Sequence, residues 1–89
     1  MQEEEIKIAI FRKLFVMKKI GASHTPFENI QKGFPKHLRG EVNRKIISEL
    51  VKERWLLMKK HNYGVGVSLN PERINEVRNI LRKHFPEFV

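Results

Sequence analysis

Between positions 6 and 63 the chain carries fourteen Lys and Arg against four Glu (Glu28, Glu41, Glu49 and Glu53), a surplus of ten positive charges. Residues 1–5 carry three Glu, and residues 64–89 are nearly balanced. A field of that sign attracts polyanions, and nucleic acid is the commonest polyanion in a cytoplasm. The same pattern is also what a highly soluble surface carries, since charge governs solubility and association and not fold.

The residues needed for other chemistries are missing. All ten acids are Glu, so Asp-based triads and Asp-rich metal loops are excluded. There is no Cys, hence no disulfide, thiolate nucleophile or Cys-type zinc site. His24, His37, His61 and His84 lie on different elements without ligand spacing. Gly64 and Gly66 fall in a hairpin pattern, not between a strand and a helix, so they are no dinucleotide fingerprint. The chain is not expected to be an enzyme, to hold a metal or cofactor, or to take a small-molecule ligand.

The length of 89 residues allows one domain with one modest core. No run approaches the ~18 apolar residues of a membrane span. The N-terminus, MQEEE, is acidic where a signal peptide is basic. A cytoplasmic protein without membrane contact is expected.

Periodicity supplies the elements. Residues 3–20 read as a helix, with Glu3–Glu5 opposing the positive end of the helix dipole and Lys18 and Lys19 the negative end. Gly21 is the expected stop. One stripe contains Ile6, Ala9, Ile10, Leu14, Val16, Met17 and Ile20, and a second contains Ile8, Phe11 and Phe15. Thr25-Pro26-Phe27-Glu28 is a helix start with Thr25 as cap; Gly33 and Pro35 keep that helix short. Residues 36–54 read as a third helix, with Val42, Ile46, Ile47, Leu50 and Val51 inward. Trp55–Lys60 and Val65–Leu69 read as strands joined by a tip of about four residues, 61–64. Trp55 belongs to the core and not to a stacking platform. Asn70 caps a last helix, with Pro71 at its first position and Ile74, Val77, Leu81 and Phe85 on one face.

Helix, short helix, helix, hairpin is the order of a winged helix-turn-helix. The stretch from Val42-Asn43-Arg44 to Arg54-Trp55-Leu56-Leu57 resembles the winged-helix signature, and the resemblance covers residues 6–69. Arg54 stands where that family usually has Gly. FPKHLRG and YGVGVSLNPER are similar to segments of small archaeal winged-helix proteins. The fold class implied is mainly α with a small β-hairpin (α+β), one domain over 1–89 with the C-terminal helix at 71–85.

The resemblance implies double-stranded DNA as partner and transcriptional regulation as role. The third helix would read base edges with Lys36, His37, Arg39, Asn43, Arg44 and Ser48, Arg bonding guanine and Asn adenine. The wing would hold phosphate with Lys59, Lys60, His61, Asn62 and Tyr63. The alternative is a winged helix serving as a protein–protein interaction module or as a subunit of a nucleoprotein complex. A core of about 65 residues is not expected to cover both the second stripe of the first helix and the face of the last. A homodimer is therefore expected through Ile8, Phe11, Phe15, Ile74, Val77, Leu81 and Phe85.

Overall fold

The structure, a computed structural model, describes residues 2–30, 32, 34, 44–62 and 64–87. In chain order it comprises α1 (Gln2–Val16), β1 (Thr25–Pro26), α2 (Phe27–Ile30), α3 (Arg44–Lys52), β2 (Leu56–His61), β3 (Gly64–Leu69), a 3-10 turn (Pro71–Arg73) and α4 (Ile74–His84). It is a small α+β domain with a three-stranded antiparallel sheet of order β1-β3-β2. Among the described residues no helix is long and apolar enough to cross a membrane.

The central strand β3 is covered on both faces. Val67 and Leu69 are fully buried on one face, and Gly66 and Ser68 are buried on the other. The apolar face meets Ile6, Ile10, Phe11 and Leu14 of α1, Ile30 of α2, Ile47 and Leu50 of α3, Leu56 of β2, and Val77 and Leu81 of α4 in one core. On the other face the Ser68 hydroxyl donates to the Gly21 carbonyl at 2.8 Å.

Both α1 and α3 end in the same device. The Lys19 N–H donates to Leu14 O at 2.9 Å and the Lys18 N–H to Phe15 O at 3.1 Å. The Trp55 N–H donates to Leu50 O at 2.9 Å and the Arg54 N–H to Val51 O at 3.0 Å. These paired bonds are Schellman caps, and each needs a left-handed residue at its apex. Lys18 (φ 57°) and Arg54 (φ 66°) fill that position without being Gly. Gly21, expected as the stop of α1, instead lies in the following turn at φ 66°, where its N–H donates to Leu69 O at 3.0 Å.

Further expectations change. Thr25 and Pro26 form a strand paired with Val67 and Gly66, so Thr25, 2% exposed, enters the sheet before α2 begins. The pairing of His61 with Gly64 leaves only positions 62 and 63 between the strands, a tighter connection than the expected four-residue tip. Of the helix expected over 36–54, α3 occupies Arg44–Lys52; positions 36–43 lie outside the described residues. The Asn70 side chain accepts from Glu72 N at 3.0 Å, with Pro71 at the first position, but the element so capped is the 3-10 turn; α4 itself begins at Ile74, where Arg73 makes no side-chain cap bond.

The apolar faces assigned to a dimer are covered within one chain. Phe11, Val77 and Leu81 are fully buried and Ile8 is 8% exposed. Phe15, Ile74 and Phe85 pack against the same core. The second stripe of α1 is covered by two neighbours: Phe11 packs against Trp55, and Phe15 meets α4, where the Arg78 guanidinium sits over its ring while that of Arg12 sits over Phe85, so the two helices run antiparallel. With α4 counted in the core, one chain covers the faces that the homodimer was expected to bury.

Candidate nucleic-acid interface

The amphipathic spacing of α3 decides which side chains it can offer. Ile47 and Leu50 are buried and Ile46 and Val51 half-buried, which leaves Lys45, Ser48, Glu49 and Lys52 outward. Lys45 and Lys52 are seven residues apart, two turns, and stand in line on the outer face with Ser48 on one flank. Glu49 occupies the other flank. There the charge reverses: Glu4, Lys7, Ile46, Glu49, Leu50 and Glu53 line a hollow of about 170 Å³ between α1 and α3. The outer face of α3 is therefore sided, basic along its ridge and acidic toward α1.

The hairpin follows α3 directly through the Arg54 cap. In β2, Leu57, Met58, Lys59 and Lys60 are all exposed, whereas Leu56 is buried. Adjacent residues of a strand point to opposite faces. Lys59 is paired with Gly66 and Lys60 with Val65. Lys60 thus shares the face of Leu56, and Lys59 the opposite one. The two ammonium groups straddle the strand instead of forming one pair on one face.

His61 is turned inward more than a phosphate contact requires. It is half-buried, its ring 6.2 Å from that of His24 in an edge-on arrangement. A Cβ on Gly66 would lie 2.9 Å from His61 Nε2 and 3.0 Å from His24 Cβ, so the missing side chain of Gly66 makes room for both histidines. His24, Thr25, Pro26, Glu28, His61 and residues 64–66 line a hollow of about 100 Å³ at this point. Among the described residues no group of three His, Cys, Asp or Glu is placed to hold a metal ion.

No protein-family model, curated protein or solved structure matches the chain.

Of the residues expected to contact a polyanion, Ser48, Lys59 and Lys60 are exposed and Asn62 lies exposed at the hairpin tip. Arg44 is the first residue of α3. Lys36, His37, Arg39, Asn43 and Tyr63 lie outside the described residues. Lys45, Lys52 and Arg54 are exposed cations that sequence reasoning left out of the site. The signal for the first two was available: their spacing places them on one face of α3. Arg54 carries no such signal beyond its departure from Gly.

The elbow between α3 and β2 is held from the C-terminal side. Arg73 Nη1 donates to the Glu53 carbonyl at 2.7 Å. Asn70 Nδ2 donates to the Arg54 carbonyl at 2.9 Å, and the Asn70 N–H to the Trp55 carbonyl at 3.0 Å. Trp55 is 8% exposed and packs against Phe11 at 5.1 Å between ring centroids. The 3-10 turn before α4 therefore fixes the angle at which the hairpin leaves α3.

Proposed function

We propose that the chain is a winged-helix DNA-binding protein acting as a transcriptional regulator, with α3 laid against duplex DNA and the β2–β3 hairpin as the wing. One observation carries the reading. A helix with an outward ridge of Lys45, Ser48 and Lys52 leads, through a single capped turn, into a hairpin that exposes Lys59 and Lys60. The element order and the basic charge of the middle of the chain support it. On this reading Ser48 faces base edges, Lys45 and Lys52 lie against the flanking phosphates, and one of the two wing lysines, on the side of β2 that faces the duplex, holds a phosphate backbone. The acidic flank at Glu49 and Glu53 turns away from the duplex, because carboxylates against phosphate repel.

The test is titration of a labelled random duplex with the full chain at several salt concentrations, followed by selection from a random duplex pool. The reading expects binding that weakens linearly with the logarithm of salt, and a recovered motif. Binding without a motif removes the regulatory role and keeps only a non-specific one. Absence of binding at low salt ends the DNA reading altogether.

A further inference from the structure

Strand β2 lies at one edge of the sheet, with β3 on its inner side and, among the described residues, no strand on its outer side. Its middle is open to solvent on both faces as well. Leu57, Met58, Lys59 and Lys60 are exposed in succession, although residues 66–68 opposite the first three are buried. Leu57 and Lys59 share one face and Met58 and Lys60 the other. Each face thus presents an apolar residue followed by a cation. Along the outer edge, every second residue turns its N–H and C=O outward, the template for an added strand.

Charge selects what can be added. A second copy of β2 in antiparallel register would crowd four lysines along one seam, and like charges opposite one another destabilise a pair. Lysines on an edge serve natural sheets in this way, as a guard against self-pairing. A strand bearing carboxylates meets the opposite condition. Neither β2 (LLMKKH) nor β3 (GVGVSL) contains an acid that would neutralise Lys59 and Lys60.

We infer that β2 accepts an extended acidic segment of a partner protein as a fourth strand of the sheet. Its carboxylates lie beside Lys59 and Lys60 and its apolar residues beside Leu57 and Met58. Main-chain hydrogen bonds supply the affinity, and the alternate side chains supply the selectivity. The inference goes beyond DNA binding and does not depend on it, since a phosphate backbone cannot pair with a strand edge.

The experiment uses the full chain and, as probe, a capped peptide of repeated Val-Val-Glu-Glu, whose adjacent glutamates fall on opposite faces of a strand as Lys59 and Lys60 do. Saturable binding is expected, with slowed amide exchange at alternate positions among Leu57–Lys60 and none at α4. The same peptide with alternate amides N-methylated along one edge, and a valine–lysine peptide, should each bind at least about tenfold more weakly. In the protein, Lys59→Glu with Lys60→Glu should reverse the preference between the glutamate and lysine peptides. Should that variant fail to fold, the N-methylated probe against the unaltered chain decides alone. Equal binding of the N-methylated peptide overturns the inference, because the contact is then electrostatic only. Absence of slowed exchange in β2 overturns it too. So does slowing that depends on protein concentration without peptide, which makes a second copy the occupant.

Discussion

The guanidinium carbon of Arg73 lies 3.5 Å from the centroid of the Trp55 ring. Lys7 Nζ also lies over that ring, at 4.6 Å. Arg73 thereby joins three things: the indole, the Glu53 carbonyl at the end of α3, and the Glu76 carboxylate in the first turn of α4. A planar fork can stack and donate in several directions at once, which an ammonium group cannot. Arg73→Ala is expected to lower the unfolding free energy measurably, from the lost stack and the lost bond to Glu53. Arg73→Lys should recover less than half of it. Denaturant unfolding with Trp55 emission as the probe measures both. A loss indistinguishable from zero in Arg73→Ala would show that the elbow holds without this contact.

The same guanidinium sets a pH dependence. Its hydrogen bond holds the Glu76 carboxyl below the usual carboxylate range, and the bond and charge of Glu76 in turn raise Arg73. A carboxyl depressed in the folded state contributes stability that is fully present above its unfolded pKa. That contribution is lost as pH falls through the folded value, on the acid side of the usual carboxylate range. Both groups meet solvent, so the effect is small. Glu76→Gln should flatten this part of the acid limb of stability against pH and leave the neutral and alkaline parts parallel to the parent. An unchanged acid limb in the variant would count against the pair.

Arg54 and Lys18 each occupy a left-handed position that Gly takes without strain. For an L residue that conformation costs roughly 1–2 kcal/mol, offset in part by the extra freedom Gly brings to the unfolded chain. Arg54→Gly is expected to raise stability by about 0.5–1 kcal/mol, and Lys18→Gly by a similar amount. Thermal unfolding of the single and double variants tests this, and the two gains should add because the caps are on separate helices. A decrease at either site would mean that the side chain does more there than its exposure indicates.

Phe11 and Val16 give opposite answers to one substitution. Phe11 is fully buried against Trp55, and Val16 is 60% exposed at the end of α1. Phe11→Ala should cost about 3–5 kcal/mol, enough to unfold a small domain. Val16→Ala should change stability by no more than about 0.5 kcal/mol. Sedimentation of Phe11→Glu should report an unfolded chain, and not a folded monomer released from a dimer. A folded, compact Phe11→Glu variant would restore the interface reading of that stripe.

These residues also show where sequence was sufficient. The apolar periods of α1, α3 and α4, the alternation of β3 and the Asn70-Pro71 start are local signals, and each placed its element. Strand β1 has no such signal. Its two residues carry the marks of a helix cap, because a cap residue is extended anyway, and what makes them a strand is pairing with Val67 and Gly66 some forty residues away. The end of α1 was misplaced because Lys18 hides a cap that Gly would have advertised. In the candidate site the exposed ridge was legible from spacing once Ile47 and Leu50 faced inward. The inward turn of His61 was not, since it depends on the absence of a side chain at Gly66 on the neighbouring strand.

Reading and holding can be separated on the DNA proposal. Ser48 sits between Lys45 and Lys52 on the outer face of α3, while Lys59 and Lys60 stand on opposite faces of β2. A base contact carries about 1–3 kcal/mol of discrimination, and a phosphate contact none. Ser48→Ala should therefore weaken a selected site more than a random duplex. Lys45→Ala with Lys52→Ala should weaken both alike and reduce the salt slope by about 0.9 for each phosphate contact removed. The wing lysines give a sharper outcome, because one phosphate backbone passes on one side of the strand. Of the single variants Lys59→Ala and Lys60→Ala, one should lower the slope by about 0.9 and the other should leave it nearly unchanged. Slopes measured by anisotropy between low and moderate salt decide it. If both variants shift the slope equally, the lysines reach around the edge of β2 to the same backbone. If neither does, the hairpin is not a wing, and the exposed edge of β2 is left to protein partners.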